Sequence, residues 1–327
     1  MKSGFQELLR TALGGLAAMA CMFAQAQSFP VRPLTLVIGF PPGGAFDSVL
    51  RTVADEMSTS LGQRVNVDNR AGAGGALATQ WVVAAKPDGY TLLAAGMQLA
   101  TGPHLSKINY DPKQDLVMIG QLSTMPVLLL VKADSPVKSG ADLVTLARSR
   151  GNGITVGSGG VGTTGHFGSL LLSQGLKLQT IHVPFKGGAA GLQALAGGEL
   201  DLMFDQPSGT MQALVQAGKV RVAAVMQNQR ISTQPQAKTA AEFGLPLGAP
   251  LQGWQGLAAR AGTPAPALQK IGAAWAAAVN SSAVKTRVAQ LGLELETGRS
   301  ADAFQKHYLA ELQRWGDFIK KHQITTE

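Results

Sequence analysis

The stretch GFPPGGAFDSVLR, residues 39–51, gives the first indication of the fold. The apolar run LTLVIGF (34–40) predicts a buried strand, and the residues after the glycines predict a helix. Two prolines stiffen the turn between them, and Gly43 and Gly44 let backbone amides approach a ligand. Asp47 lies where the helix begins, so its carboxylate can accept hydrogen bonds from free amides. A strand, a glycine turn and a helix start suit an anion site, although an ordinary turn with a capping aspartate would have the same sequence.

The first 26 residues have the pattern of a secretory signal peptide. Lys2 and Arg10 precede an apolar stretch, and the small residues AQA at 24–26 mark a cleavage site. We expect cleavage directly after this motif; the alternative is a lipoprotein signal with Cys21 as the lipidated residue. Because Cys21 is the only cysteine in the sequence, the mature chain would have no disulfide, cysteine nucleophile or cysteine-based metal site.

Composition narrows the class of protein. The 327 residues are 45% hydrophobic, which is enough for a large core, yet no segment after the signal could span a bilayer. The net charge of +8 comes without a basic run or interleaved basic and aromatic residues, which argues against a nucleic-acid partner. The positive charge can serve solubility, or it can provide a field that favours anionic ligands.

Short apolar runs alternate with helical patterns along the chain. The runs that predict strands are LTLVIGF (34–40), VNVDN (65–69), YTLLAAG (90–96), LVMIGQL (116–122), VLLLVK (127–132), GITVGS (153–158), TIHVPF (180–185), LDLMFD (200–205), VRVAAVM (220–226) and WQGLAA (254–259). Such alternation is typical of an α/β fold with mainly parallel sheets covered by helices. No fixed-period repeat or low-complexity linker divides the chain, so we expect two units that share it by crossing over.

The segment GITVGSGGVGTTGHFGSLLL (153–172) again has the order strand, glycine turn and helix. Gly157, Gly159 and Gly162 match G-x-G-x-x-G, the fingerprint of dinucleotide sites, and the same amides could hold a smaller anion. A dinucleotide site also needs an acidic residue about 20 residues further on, at the end of the next strand. That strand is followed by Lys186 and no acid, so the segment favours an anion site over a nicotinamide site.

Side chains near these turns could add to such a site. Ser158, Thr163 and Thr164 offer hydroxyl groups, and His166 either faces the ligand or packs in the first turn of the helix. Asp205 ends the predicted strand LDLMFD, where it either holds a ligand hydroxyl or ammonium group or caps the following helix.

Signatures of the common enzyme classes are missing or incomplete. SPVK (135–138) fits S-x-x-K, but its companions S-D-N and K-T-G are absent, and no G-x-S-x-G occurs. The five histidines show no metal-ligand spacing such as H-E-x-x-H. We therefore expect no catalytic residue, no metal and no cofactor. The enzyme alternative is an exported nucleotide-dependent oxidoreductase, suggested by G-x-G-x-x-G.

Eight phrases follow one another in an order that resembles a known family. FPVRPLTLVIGFPPGGAFDSVLR resembles an opening with the core P-P-G-G-x-x-D-x-x-x-R, and VDNRAGAGG is similar to V-x-N-R-x-G-A-G-G. The others are KPDGYTLL, YDPKQDL, GSGGVGTTGH, HVPFKGGAAGLQALAGGELDLMFD, AGKVRVAAV and WQGLAARAGTP. Over nearly the whole mature chain, the sequence resembles the Bug-type solute receptors, the periplasmic binding proteins of the tripartite tricarboxylate transporter family.

The resemblance implies a two-lobed, type II periplasmic binding protein with a Venus-flytrap arrangement and a ligand between the lobes. Residues 27–125 and 227–327 would form lobe 1, and residues 126–226 would form lobe 2. The apolar runs VLLLVK and VRVAAVM would be the hinges. The resemblance further implies a periplasmic monomer that delivers its ligand to membrane transporter subunits or to a sensor.

Ligands of this family are mostly small carboxylates, gripped by a glycine turn from each lobe with backbone amides and ordered waters. The resemblance assigns this role to Gly43, Gly44, Phe46, Asp47, Ser158, Gly159, Gly160, Gly162, Thr163, Thr164 and His166. The ends of predicted strands add Gly96, Met97 and Gln98, which would line the wall and set side-chain preference, and Asp205.

Overall fold

The structure is a computed structural model that describes residues 29–245, 251–321 and 323–324. The predicted signal peptide, its cleavage site and Cys21 lie outside the described residues. The strands are β1 (Leu34–Ile38), β2 (Val65–Asn69), β3 (Thr91–Gly96), β4 (Leu116–Pro126), β5 (Leu128–Lys132), β6 (Ile154–Ser158), β7 (Thr180–Pro184), β8 (Leu202–Asp205), β9 (Val220–Val225), β10 (Lys238–Thr239), β11 (Gln252–Arg260) and β12 (Glu294–Leu295).

Helices fill most of the intervals between the strands. They are α1 (Ala45–Leu61), α2 (Ala76–Ala84), α3 (Met97–Leu105), α4 (Gly140–Arg150), α5 (Thr164–Leu176), α6 (Gly188–Gly197), α7 (Gly209–Gln216), α8 (Ala240–Phe243), α9 (Ala265–Asn280), α10 (Ser282–Leu291) and α11 (Ala301–Lys321). A single 3₁₀ turn, Ala73–Gly75, precedes α2.

The strands form two six-stranded sheets, and each sheet with its helices is called a lobe below. The first lobe has the strand order β12-β4-β11-β3-β1-β2, and the second has β10-β9-β5-β8-β6-β7. The strand–helix repeats pair in parallel: β1 with β2 and β3, and β6 with β7 and β8. β11 and β5 each lie antiparallel to both of their neighbours in these sheets, and the short β12 lies antiparallel to β4.

The chain passes between the lobes at a point where three segments are hydrogen-bonded. β4 of the first lobe leads through Val127 directly into β5 of the second. The amide of Met226, after β9, donates to the Val127 carbonyl at 2.8 Å, and the amide of Leu251, before β11, donates to the Met226 carbonyl at 2.9 Å. The two apolar runs predicted as hinges therefore lie beside each other.

All ten predicted strands are present, and the predicted α/β class is confirmed. The two strands that the sequence did not reveal, β10 and β12, are two residues long each, too short for a periodic pattern. The predicted lobe limits at residues 125 and 226 stay a prediction. Lys238 and Thr239 of β10 lie beyond residue 226, yet they pair with β9 of the second sheet.

Apolar contacts hold the two lobes together on one side. Helix α11 packs against α3 and β4 of the first lobe. Its Trp315 ring lies 4.4 Å from the ring of Phe167, a fully buried residue of α5 in the second lobe. A single buried cluster accordingly includes residues from both sheets, among them Leu93 and Phe204.

Gly120 in β4 and Gly272 in α9 should respond in opposite ways to the same substitution. A Cβ on Gly120 would lie 2.4 Å from Trp275 Nε1, so Gly120→Ala should lower the free energy of unfolding by about 1–3 kcal/mol. A Cβ on Gly272 would meet no other element within 4 Å in the described part of the chain, so Gly272→Ala should raise it by about 0.5–1 kcal/mol. Urea unfolding measures both values. A change of the same sign in both variants would contradict the packing of α9 on β4.

Candidate ligand-binding site

Four helix N-termini, two from each lobe, meet at one cavity. α1 and α3 follow β1 and β3 in the first lobe, and α5 and α6 follow β6 and β7 in the second. All four helices therefore begin at the carboxyl ends of parallel strands, where α/β sheets place their ligands. The cavity is lined by Phe40, Pro41, Gly44, Phe46, Met97, Gln98, Gly159, Thr163, Thr164, Gly187, Gly188, Ala189, Asp205, Gln206 and Trp254.

Three of these helices begin without a side-chain cap. The N-cap residues of α1, α3 and α6 are Gly44, Gly96 and Gly187, and no side chain of the described residues accepts a capping hydrogen bond there. α5 differs, because Thr163 Oγ1 accepts from the amide of His166 at 3.5 Å. Each helix N-terminus carries roughly half a positive charge in its first-turn amides. The helix N-termini therefore bring partial positive charge to the cavity, although none of the described residues of its wall is Lys, Arg or His.

Asp205 is the one titratable group among the described residues of the cavity wall. It ends β8, and its carboxylate lies against the backbone of Gly188, where a Cβ would be 2.0 Å from Oδ2. Burial raises the pKa of Asp205 to about 7, against a smaller opposite effect of the Gln206 amide. The alternative role for Asp205, a cap on the following helix, is wrong: Ser208 is the N-cap of α7 and accepts from the Met211 amide at 3.2 Å.

Eight of the fifteen residues predicted from the sequence are brought to this cavity. They are Gly44, Phe46, Met97, Gln98, Gly159, Thr163, Thr164 and Asp205. Gly96 lies directly behind the wall: a Cβ there would be 2.1 Å from the Phe46 ring, so only glycine leaves room for that ring. Phe46 in turn packs against Phe40, with ring centroids 5.2 Å apart.

Asp47 and Gly43 lie behind the first glycine turn and hold its shape. The buried Asp47 carboxylate accepts hydrogen bonds from the Gly43 amide at 3.0 Å, Arg51 Nε at 2.9 Å and Asn69 Nδ2 at 3.1 Å. Burial acts to raise the pKa of Asp47, but the hydrogen bonds from Arg51, Gly43 and Asn69 outweigh it and lower this pKa. Asp47 thus fixes the turn through its partners instead of facing the cavity.

Ser158, Gly160, Gly162 and His166 form a comparable network behind the second turn. Ser158 Oγ accepts from the Gly160 amide at 3.1 Å and bonds His182 Nε2 at 2.7 Å. His166 Nδ1 accepts from the Gly162 amide at 3.2 Å, and the two imidazole rings stack with centroids 4.4 Å apart. Burial lowers the pKa of both histidines to about 4, so both are neutral at neutral pH.

Each glycine turn is also bonded to the opposite lobe. Thr101 Oγ1 in α3 of the first lobe donates to the Gly162 carbonyl at 2.6 Å. Thr210 Oγ1 in α7 of the second lobe donates to the Gly43 carbonyl at 3.1 Å. Both turns also reach the cavity, since Gly44 of the first turn and Gly159 of the second line its wall.

Seven residues of the wall were missed in the sequence. They are Phe40, Pro41, Gly187, Gly188, Ala189, Gln206 and Trp254. Residues 187–189 follow a strand and open a helix in PFKGGAAG, so the pattern used for the first two turns could have found them. Trp254 had no such signal. It is almost fully buried in β11, and its indole N–H has no acceptor among the described residues.

The described residues contain no helix long and apolar enough to cross a bilayer. They also contain no group of three or more metal-ligating side chains that could hold an ion.

The family model of the tripartite tricarboxylate transporter family receptors (TctC) matches residues 49–324. Three solved structures are similar along most of the chain. The periplasmic binding protein BugD is 30% identical with a TM-score of 0.85 and covers 91% of this chain and 100% of its own. MatC (Rpa3494) from Rhodopseudomonas palustris, with bound malate, is 34% identical with a TM-score of 0.81 over 88% of this chain and 99% of its own. R. palustris Rpa4515, with adipate, is 31% identical with a TM-score of 0.84 over 90% of this chain and 99% of its own.

These matches extend over both lobes and agree with the phrases in the sequence that resembled the Bug-type receptors. They confirm the binding-protein fold and the family prediction. The chain belongs to the family of tripartite tricarboxylate transporter receptors.

Proposed function

We propose that this protein binds a small carboxylate between its lobes outside the cytoplasm and delivers it, unchanged, to a membrane transporter or a sensor. The observation that carries the proposal is the meeting of four helix N-termini at a cavity without a cationic side chain. Helix N-termini attract anions through free amides and their dipoles. The bound malate and adipate of the two R. palustris proteins support small dicarboxylates as the ligand class.

Neutral donors suit a receptor that must release its ligand. Charge-assisted pairs with arginine are roughly twice as strong as neutral hydrogen bonds, and they would slow release. Here the uncapped amides at the starts of α1 and α6 take that role, and the indole N–H of Trp254, which has no acceptor among the described residues, is a further donor. The turns at Gly43 and Gly159 hold the ligand from opposite lobes, so binding favours the closed arrangement of the lobes.

The remaining predicted residues support the site indirectly in this proposal. Gly43, Asp47, Gly96, Ser158, Gly160, Gly162 and His166 shape the two turns and their neighbouring wall. We further propose that the signal peptide is removed, that the mature protein is periplasmic and that it is a monomer. For the lobes we propose the limits 27–125 with 227–327 and 126–226, with the strand pairing of β10 as a reason to extend the second lobe to residue 239.

The nucleotide-dependent oxidoreductase has little support. The strand next to the second glycine turn is β7, and the residues that follow it are Phe185 and the exposed Lys186. No acidic residue is therefore placed to hold a ribose. We therefore propose no catalytic residue, cofactor or metal.

Binding of a small dicarboxylate should stabilise the protein. At a ligand concentration of 100 Kd, the free energy of unfolding should rise by about 2.7 kcal/mol. A thermal-shift panel of succinate, malate, adipate and citrate, with NAD as the control, measures this effect, and chromatography of the recovered ligand checks that it is unchanged. Stabilisation by NAD and by none of the carboxylates would contradict the proposal.

Gly159→Val should weaken carboxylate binding at least tenfold. A Cβ at this position would lie 3.2 Å from the Gly188 amide nitrogen, so a branched side chain would cover an uncapped amide of α6. Gly197→Val, at the exposed end of the same helix, is the matched control and should bind normally. Calorimetric titration gives both affinities, and circular dichroism checks the fold. Equal affinity in the two variants would remove the α6 amide from the site.

His166→Asn should change carboxylate affinity at pH 7.5 by less than tenfold, because the buried, neutral imidazole holds the turn and supplies no charge. The variant should also lose less stability in acid. Burial lowers the pKa of His166 from 6.5 to about 4, so on acidification the unfolded chain takes up a proton before the folded protein does. The free energy of unfolding of the natural protein should therefore fall as the pH drops from about 6.5 to 4. Urea unfolding from pH 7.5 to 4 measures the difference. Complete loss of binding in this variant would show that the ring holds the ligand.

A further inference from the structure

The cavity proposed for an anion contains a carboxyl group of the protein. Asp205 lies in its wall, and the fourteen other residues of that wall are uncharged. Its carboxylate is placed against Gly188 at the start of α6, yet no side-chain cap of α6 is formed by it. Asp205 forms no ion pair with any described residue.

The elements packed on β8 offer Asp205 no counter-ion. In β5, Leu128 pairs with Asp205, and Lys132 lies at the far end of that strand, bonded to Asp134 at 2.9 Å. β6 and α6 contain no titratable residue. The first-turn His166 is the titratable group of α5.

Other charged groups near the cavity are engaged or exposed. His182 of β7 bonds Ser158, and burial keeps its imidazole neutral. Lys186, in the loop before α6, is exposed and is not part of the cavity wall. In the first lobe, Arg51 is paired with Asp47 behind the glycine turn.

A bound carboxylate and an ionised Asp205 would repel each other in this enclosed space. Three arrangements relieve the repulsion: a ligand ammonium group beside Asp205, a ligand hydroxyl that donates to it, or a proton on Asp205 itself. A ligand that carries two carboxylates and neither an amine nor a hydroxyl group can use only the third arrangement, and no lysine, arginine or histidine of the described wall compensates an ionised Asp205.

We propose that Asp205 is protonated in the ligand-bound receptor and donates a hydrogen bond to a ligand oxygen, so that binding a dicarboxylate takes up one proton. The inference rests on the proposed function. It makes Asp205 a specificity-determining residue that favours dicarboxylates without an ammonium group over acidic amino acids.

The pKa of Asp205 in the protein without ligand agrees with proton uptake near neutral pH. Burial raises the pKa of Asp205 to about 7 before any ligand is present, and a neighbouring anion raises it further. One pH unit below this pKa, most of the carboxyl groups already carry a proton. Above pH 7 the proton must come from solvent, so affinity should fall by about tenfold for each pH unit.

Calorimetric titration of the purified protein with succinate, malate and adipate, in two buffers of different ionisation enthalpy, counts the protons. At pH 8 the natural protein should take up close to one proton per ligand, and at pH 6 much less. The Asp205→Asn side chain mimics the protonated carboxyl group. This variant should bind the dicarboxylates without proton uptake and with the same affinity at pH 6 and pH 8. Asp134→Asn, which changes an exposed carboxylate far from the cavity, should behave like the natural protein.

Two results would overturn the inference while leaving the proposed function intact. One is carboxylate binding without proton uptake and with equal affinity at pH 6 and pH 8. The other is tighter binding of L-aspartate than of succinate, lost in Asp205→Asn, which would show that Asp205 holds an ammonium group. Failure of all the carboxylates to bind at either pH would instead contradict the proposed function, and the inference with it.

Discussion

The convergence of four helix N-termini on one cavity is the constraint on which the rest of the structure depends. α1 and α3 approach from one sheet and α5 and α6 from the other, so the positive ends of their dipoles coincide only when the two lobes face each other. Such an arrangement offers an anion many weak, neutral donors and no fixed cation. It explains how a protein can hold a carboxylate specifically and still release it, since each donor alone contributes little.

Polar side chains near the cavity mainly keep the backbone in place. Asp47, with Arg51 and Asn69, fixes the first glycine turn, and Ser158, with His182, fixes the second. Hydrogen bonds from the opposite lobe then reach the carbonyls of both turns. Asp205 is the exception, because it lies in the cavity wall and forms no ion pair with any described residue.

Much of this architecture can be predicted from the sequence, because β-strands and amphipathic helices leave periodic patterns. The glycine turns can be predicted as well, because a strand pattern, small residues and a helix start follow one another in the sequence. Whether a side chain near a turn faces the cavity or its own backbone leaves no pattern in the sequence. The family resemblance therefore predicts Asp47 and His166 as ligand contacts, whereas their atoms bond to the turns. Trp254 depends on how strand β11 crosses the first sheet, which local sequence does not encode.

The most direct test is a crystal structure of the protein with a bound dicarboxylate. The account predicts that carboxylate oxygens lie about 3 Å from backbone amides at the starts of α1, α5 or α6, directly or through one ordered water, with no lysine or arginine in contact. A ligand held by a lysine or arginine side chain, or bound outside the space between the lobes, would contradict it.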